Sequence, residues 1–295
     1  RHRLRRLHRK LAVVDTTVGF VGGINILDDA DPADGAPQYD YAVAVEGPLV
    51  AEILTAMRRL WHLVAFTQLR HTPRRDRAPV TPPPPAGTVR ARFLVRDNLR
   101  HRRDIERAYL RAIGKARREI VLANAYFLPG TRFRHALLRA ASRGVRVVLL
   151  VQGQTDHPFV NFAAQALHGR LLEAGVEIHA YTKSMLHAKT AVIDGVWATV
   201  GSSNIDPFSL LLSREANLVA YDHEFAGRLR RDMLAEIASG AVRVTMEDWA
   251  AVPLWRRLVM WAAYGVVRLL MGVVHYPHDD PPPVSAGPGS GPRGR

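Results

Sequence analysis

The chain contains no cysteine, which excludes disulfides, thiol nucleophiles and cysteine-ligated zinc and leaves the compartment open. Lysine is nearly absent as well, with 4 residues against 37 arginines. Two of the four, Lys10 and Lys189, fall inside a repeated motif, so that motif demands a compact ammonium that a guanidinium does not replace. Long apolar runs are missing too. In the most apolar segment, 249–276, the longest uncharged stretch is the ten residues from Leu258 to Val267, too short to span a bilayer. There is no initiator Met and no signal-peptide pattern.

What is present is a large apolar fraction, 47% of 295 residues, enough for a real core, and a formal charge of +14 that draws the chain to anionic partners such as phospholipid headgroups or nucleic acid. A duplication organises it. "HRKLAVVDTTVGFVGGINI" places His8, Lys10, Asp15 and Asn25 at the same offsets as His187, Lys189, Asp194 and Asn204 in "HAKTAVIDGVWATVGSSNI", with nine identities in nineteen positions. Recurrence of a four-point constellation is the signature of a duplicated unit. Each copy reads as strand, turn, strand, followed by a further strand that starts at or beside an acid, Asp40 or Glu215. Because α/β pattern over 89–186 precedes the second motif and only seven residues precede the first, we expect the sequence to be an N-terminally truncated piece of a longer parent.

The organisation follows. Residues 1–69 read as the C-terminal part of a first lobe and contain a helical pattern at 49–66; residues 70–88 form a Pro/Arg-rich linker. Residues 89–248 form a second lobe with strands at 89–96, 119–127, 145–153 and 176–182 alternating with helices at 104–118, 131–144 and 159–174; Gly144 and Gly175 stand where helix C-caps belong. This alternation predicts an α/β layered fold around a largely buried sheet. Segment 249–276, with Trp255, Trp261, Tyr264 and Tyr276 and with Arg257 and Arg268 on one helical face, predicts a helix lying in a membrane interface; the competing reading packs it on the domain. Residues 277–295 read as a disordered tail.

If the motifs face each other across a pseudo-twofold axis, two His, two Lys and two Asn converge on one pocket. That set suits a phosphodiester. Ammoniums offset nonbridging oxygens, amides add neutral donors, one imidazole attacks phosphorus and the other protonates the leaving alkoxide. No metal or other cofactor is called for. An attacking imidazole needs a carboxylate on its other N–H, and Asp40 and Glu215 are the candidates. Asp15 and Asp194, lying between strand and turn, suit a structural role. His62, His157 and His179 lack a partner pattern and read as packing or surface residues.

"HRKLAVVD" with "GGIN", and "HAKTAVID" with "GSSN", resemble the paired HKD motifs of the phospholipase D superfamily. "FVGGINI", "YDYAVAVEGPLV", "ANAYFLPG" and "RGVRVVLLVQGQTD" are further similar to bacterial cardiolipin synthases of the shorter type, without an N-terminal transmembrane pair. The resemblance implies a duplicated α-β-α sandwich whose lobes share one site, with His8, Lys10, Asp15, His187, Lys189 and Asp194 as catalytic signature. It implies a phosphatidyl-histidine intermediate with His8 as nucleophile and His187 as general acid, although pseudo-symmetry permits the reverse. Lys10, Asn25, Lys189 and Asn204 would grip phosphate, and Asp40 and Glu215 would orient the imidazoles. Phosphatidylglycerol would be donor and acceptor, with phosphatidylethanolamine or another alcohol open in the acceptor's place, on a bacterial inner membrane. Hydrolysis by water and nuclease activity on nucleic acid are the alternatives; the Trp-rich segment without basic-aromatic interleaving favours lipid over nucleic acid.

Overall fold

The computed structural model describes residues 7–25, 37–68, 79–97, 100–153, 158–206, 209 and 213–273. Each motif folds as the first two strands of a three-stranded antiparallel meander. In the first copy these are β1 (Lys10–Val14), β2 (Val18–Gly22) and β3 (Ala42–Glu46), a sheet of their own. In the second they are β8 (Lys189–Ile193), β9 (Trp197–Gly201) and β10 (Glu215–Tyr221). Register repeats with sequence: Leu11 faces Val21 and Val14 faces Val18, as Thr190 faces Val200 and Ile193 faces Trp197.

The hairpin turns account for the motif Asp. Asp15 and Thr16, like Asp194 and Gly195, have positive φ, and the turns close by Thr17 N–H on Val14 O and Val196 N–H on Ile193 O. Two central residues with positive φ mark a type I′ turn, whose twist matches that of the flanking strands and which Asp tolerates well.

The second meander sits inside a larger sheet completed by β4 (Arg90–Arg96), β5 (Glu119–Asn124), β6 (Arg146–Gln152), β7 (Glu177–Tyr181) and β11 (Ala241–Val244). Its order is β11-β7-β6-β5-β8-β9-β10-β4, with β5, β6 and β7 parallel to one another. Those central strands are apolar on both faces, as helices on both sides require. Helices α2 (Asp104–Lys115), α3 (Thr131–Ser142), α4 (Pro158–Gln165) and α5 (His168–Glu173) cover one face through Tyr109, Phe133, Leu137 and Leu171. Helix α6 (His223–Gly240) covers the other through Ala226, Met233 and Ile237. Helix α1 (Leu49–Thr67) contributes Ile53, which with Val21 and Leu218 forms a small core joining the two sheets.

Several boundaries differ from the sequence reading. The helix expected over 159–174 is two helices, α4 and α5. Strand β5 ends at Asn124 rather than continuing to 127, and β11 had no sequence signal beyond a four-residue apolar alternation. The helix expected over 249–276 is α7 (Met246–Ala251) and α8 (Leu254–Val273), separated at Pro253 because proline cannot continue the ladder. Of the linker, residues 79–88 carry no helix or strand and 70–78 lie outside the described residues, as does the tail.

Candidate active site

The repeats close on each other crosswise. Leu7 bridges to Arg214 and Tyr39 bridges to Leu186; His8 N–H donates to Arg214 O at 3.0 Å and His187 N–H to Tyr39 O at 2.8 Å. Each bridge sets the His of one repeat beside the acid of the other. His187 Nδ1 lies 2.6 Å from Asp40 Oδ2, and His8 Nδ1 lies 3.0 Å from Glu215 Oε2. Carboxylates only accept, as does Ser202 O at 3.1 Å from His8 Nδ1, so Nδ1 carries the proton and Nε2 is the basic nitrogen in both rings.

The two acids are buried differently. Glu215 is 0% exposed and also accepts from Ser202 Oγ at 2.5 Å. Asp40 has Gly23 where Glu215 has Ser202: a Cβ on Gly23 would stand 2.4 Å from Asp40 Oδ1. Small residues at this point are therefore a steric requirement of the first copy.

Lys10 Nζ donates to His8 O at 3.0 Å, and Lys189 Nζ donates to His187 O. Lys189 is 1% exposed and 3.9 Å from Asp40. Burial lowers its pKa to about 7, against the opposing pull of Asp40. Burial likewise lowers Lys10, with Glu215 and Asp40 pulling upward. His187 is held below its ordinary value by burial, which Asp40 opposes and the charges of Lys189 and Lys10 reinforce. The action of Lys10 on His187, and of Glu215 on Lys189, shows that the two motifs form a single electrostatic site. Asn204 is buried with its Oδ1 lacking a hydrogen-bond partner among the described residues, while Asn25 is half-buried just beyond β2.

Asp194 is elsewhere. Its carboxylate accepts the backbone N–H of Arg117, Arg118 and Glu119 at 2.9, 2.8 and 3.0 Å. Burial alone would raise its pKa, but these donors carry it below the usual range. It stands five residue steps along β8 from Lys189, roughly 16 Å. Asp15 and Asp194, which the resemblance places in the catalytic signature and their strand-turn position suits to a structural role, are both turn residues at the ends of β1 and β8 away from Lys10 and Lys189. His62 and His179 lie on α1 and β7, and His157 lies outside the described residues.

Other contributors had no repeat signal. Asn124 faces Lys189 across β5 and β8, and its Oδ1 holds Ile205 N–H beside Asn204. Gln152 Oε1 accepts Leu186 N–H at 2.6 Å. Arg9 clamps the Glu215 and Arg96 carbonyls at 3.0 Å each, and fully buried Arg96 faces Glu215 in register. Tyr39 and Tyr41 flank Asp40; their hydroxyls bond each other, Tyr41 donates to Asp232 at 2.6 Å, and Tyr39 stacks on Tyr181. All depend on tertiary pairing.

A family model described as "Cardiolipin synthase, PLD-like domain" matches residues 109–236. "Cardiolipin synthase B" of Salmonella typhi is 40% identical over 298 residues, covering 95% of this chain and 69% of that protein. The chain belongs to the cardiolipin synthase family of the phospholipase D superfamily. Its similarity to "Cardiolipin synthase B" of Escherichia coli strain K12 is 41% over 251 residues, 81% of this chain and 58% of the relative. Among solved structures, a phosphatidylserine synthase of Haemophilus influenzae Rd KW20 superposes with a TM-score of 0.68 at 12% identity, over 92% of this chain and 71% of that one, which shows a shared fold. As a cardiolipin synthase family member the chain is a phosphatidyltransferase-type enzyme with phospholipid substrates; among the described residues no helix is long and apolar enough to cross a membrane.

Proposed function

We propose that the crossed His–carboxylate pairs transfer phosphatidyl from one phosphatidylglycerol to a second, at the cytoplasmic face of a bacterial inner membrane to which the protein attaches peripherally. His8 Nε2 attacks phosphorus as the P–O bond to the departing glycerol breaks, and imidazolium His187 gives that oxygen its proton. A hydroxyl of the second phosphatidylglycerol then loses its proton to His187 and attacks phosphorus, breaking the P–N bond and yielding cardiolipin. Glu215 and Asp40 hold the rings and offset their positive charge. Lys10 and Lys189, with Asn25 and Asn204, face the nonbridging oxygens and supply the cationic character that metals supply to other phosphotransferases.

The observation that carries this reading is the crosswise pairing, since two oriented imidazoles with basic Nε2 atoms in a lysine-flanked site are the parts a double displacement at phosphorus needs. The nucleophile assignment to His8 follows its lesser burial, 28% of the side chain exposed against 15% for His187. The test is incubation with labelled phosphatidylglycerol in mixed micelles containing chelator, with separation of lipid products. Cardiolipin and free glycerol, lost on His8→Ala and on His187→Ala, is the expected result. Phosphatidic acid alone would make water the acceptor, and no lipid product would redirect attention to nucleic-acid phosphodiesters.

A further inference from the structure

Helix α8 has two apolar faces, and the domain uses one. Met260, Ala263, Tyr264 and Val267, at helical spacing, are buried in the main core, and Tyr264 Oη accepts from buried Arg134 Nη1 at 2.7 Å. The opposite face presents Leu254, Trp255, Leu258, Trp261, Val266 and Leu269, between 43% and 71% exposed. No acidic residue occurs from Trp249 to Val273. On one flank between the faces stand Arg257, whose Nη2 holds Trp249 O at 2.8 Å, and Arg268, whose Nη1 reaches Thr131 Oγ1 at 3.3 Å.

The location of this helix bears on the site. It packs along α4 and touches the start of α3. Both elements border the C-terminal ends of β5 and β6, where Ala125 N–H bonds Ala188 O between the motif His and Lys, and where Gln152 holds Leu186. A recess lined by Tyr126, Gln152, Asn161 and His168 lies at the same edge, under α4. Helix α8 is therefore joined to the edge bearing His187 through α4 and the start of α3, and its free face is turned outward from that junction.

We infer that the free face of α8 seats this protein on an anionic phospholipid surface at the active-site edge. The occupant is a lipid surface for three reasons. Trp255 and Trp261 are side chains favoured at headgroup depth. Arg257 and Arg268, held by Trp249 O and Thr131 Oγ1, fix a cationic margin along one flank of the apolar stripe, at the depth where headgroup phosphates would lie. The acid-free segment on a chain of charge +14 complements an anionic bilayer, whereas a second copy would bring like charge and the same arginine-flanked stripe against it. Helix α8 packs one apolar face on the domain and turns the other outward, so it lies on the membrane without crossing it. This rests on the proposed use of a bilayer lipid as substrate, and it explains how that lipid reaches an edge-on site.

The experiment is vesicle sedimentation of the full chain with phosphatidylglycerol/phosphatidylcholine vesicles and with pure phosphatidylcholine, for the wild type and for Leu258→Asp/Leu269→Asp. Binding that is stronger on the anionic vesicles, falls with salt, and drops by roughly tenfold or more in the variant is expected, while product formation in detergent micelles stays near wild type. Equal sedimentation of wild type and variant overturns the inference. So does a concentration-dependent dimer in light scattering that the variant abolishes without changing vesicle binding. The sedimentation readout needs no turnover, so absence of transferase activity in micelles would refute the proposed reaction and leave the docking result standing.

Discussion

His187 and Asp40 stand 147 residues apart in the chain, yet Nδ1 and Oδ2 meet at 2.6 Å. The duplicate pair, His8 and Glu215, is separated by 207 residues and meets at 3.0 Å. Each half-site is thus assembled from both repeats, and neither lobe holds an oriented imidazole alone.

Replacing Asp40 by Asn removes the charge that stabilises imidazolium at His187 and permits the wrong tautomer. Cardiolipin formation is expected to fall on the order of 10²–10⁴-fold in kcat with little change in KM. A double-mutant cycle should show Asp40→Asn non-additive with His187→Ala; additivity there would argue against the crossed pairing.

Tyr41 anchors the segment that carries Asp40 into β3 to α6 through Asp232. Tyr41→Phe and Asp232→Asn should each cost about 1 kcal/mol of stability by denaturant titration and couple in a cycle. A lowered kcat alongside is expected, because Tyr41 N–H also donates to Asp40 Oδ1 at 2.7 Å.

Lys189 has a folded-state pKa near 7, depressed by burial from its ordinary value of 10.5. Between those values the unfolded chain binds more protons than the folded one, so this group makes stability rise with pH from about 7 to about 10.5. Activity runs the other way: kcat/KM should fall as pH rises through about 7, since the free site loses a cation that grips phosphate. Thermal unfolding across this range, with Lys189→Met as the flattened reference, checks the first statement; a pH–rate profile checks the second.

Asp194→Ala strips acceptors from three backbone N–H groups that start β5. A loss of about 1–3 kcal/mol in stability is expected, with kcat of the folded protein within a few-fold of wild type. A selective collapse of kcat at unchanged stability would return Asp194 to the chemistry.

Read in the sequence alone, the duplication already establishes a great deal. Fixed offsets among His, Lys, Asp and Asn identify the motif because a hairpin holds such offsets rigidly, and apolar runs of strand length alternating with helical periodicity identify the α/β layers. Local patterns of this kind survive in sequence because local backbone geometry produces them. Tertiary structure decided what no local pattern encodes: that Asp40 serves His187 and Glu215 serves His8, that Lys189 is buried and Lys10 less so, that Arg9, Asn124, Gln152 and Tyr41 brace the site, and that α8 spends one apolar face on the core and leaves the other outward. Contacts between residues more than a hundred positions apart are set by how two sheets pack, and packing selects partners by shape and charge across the whole chain.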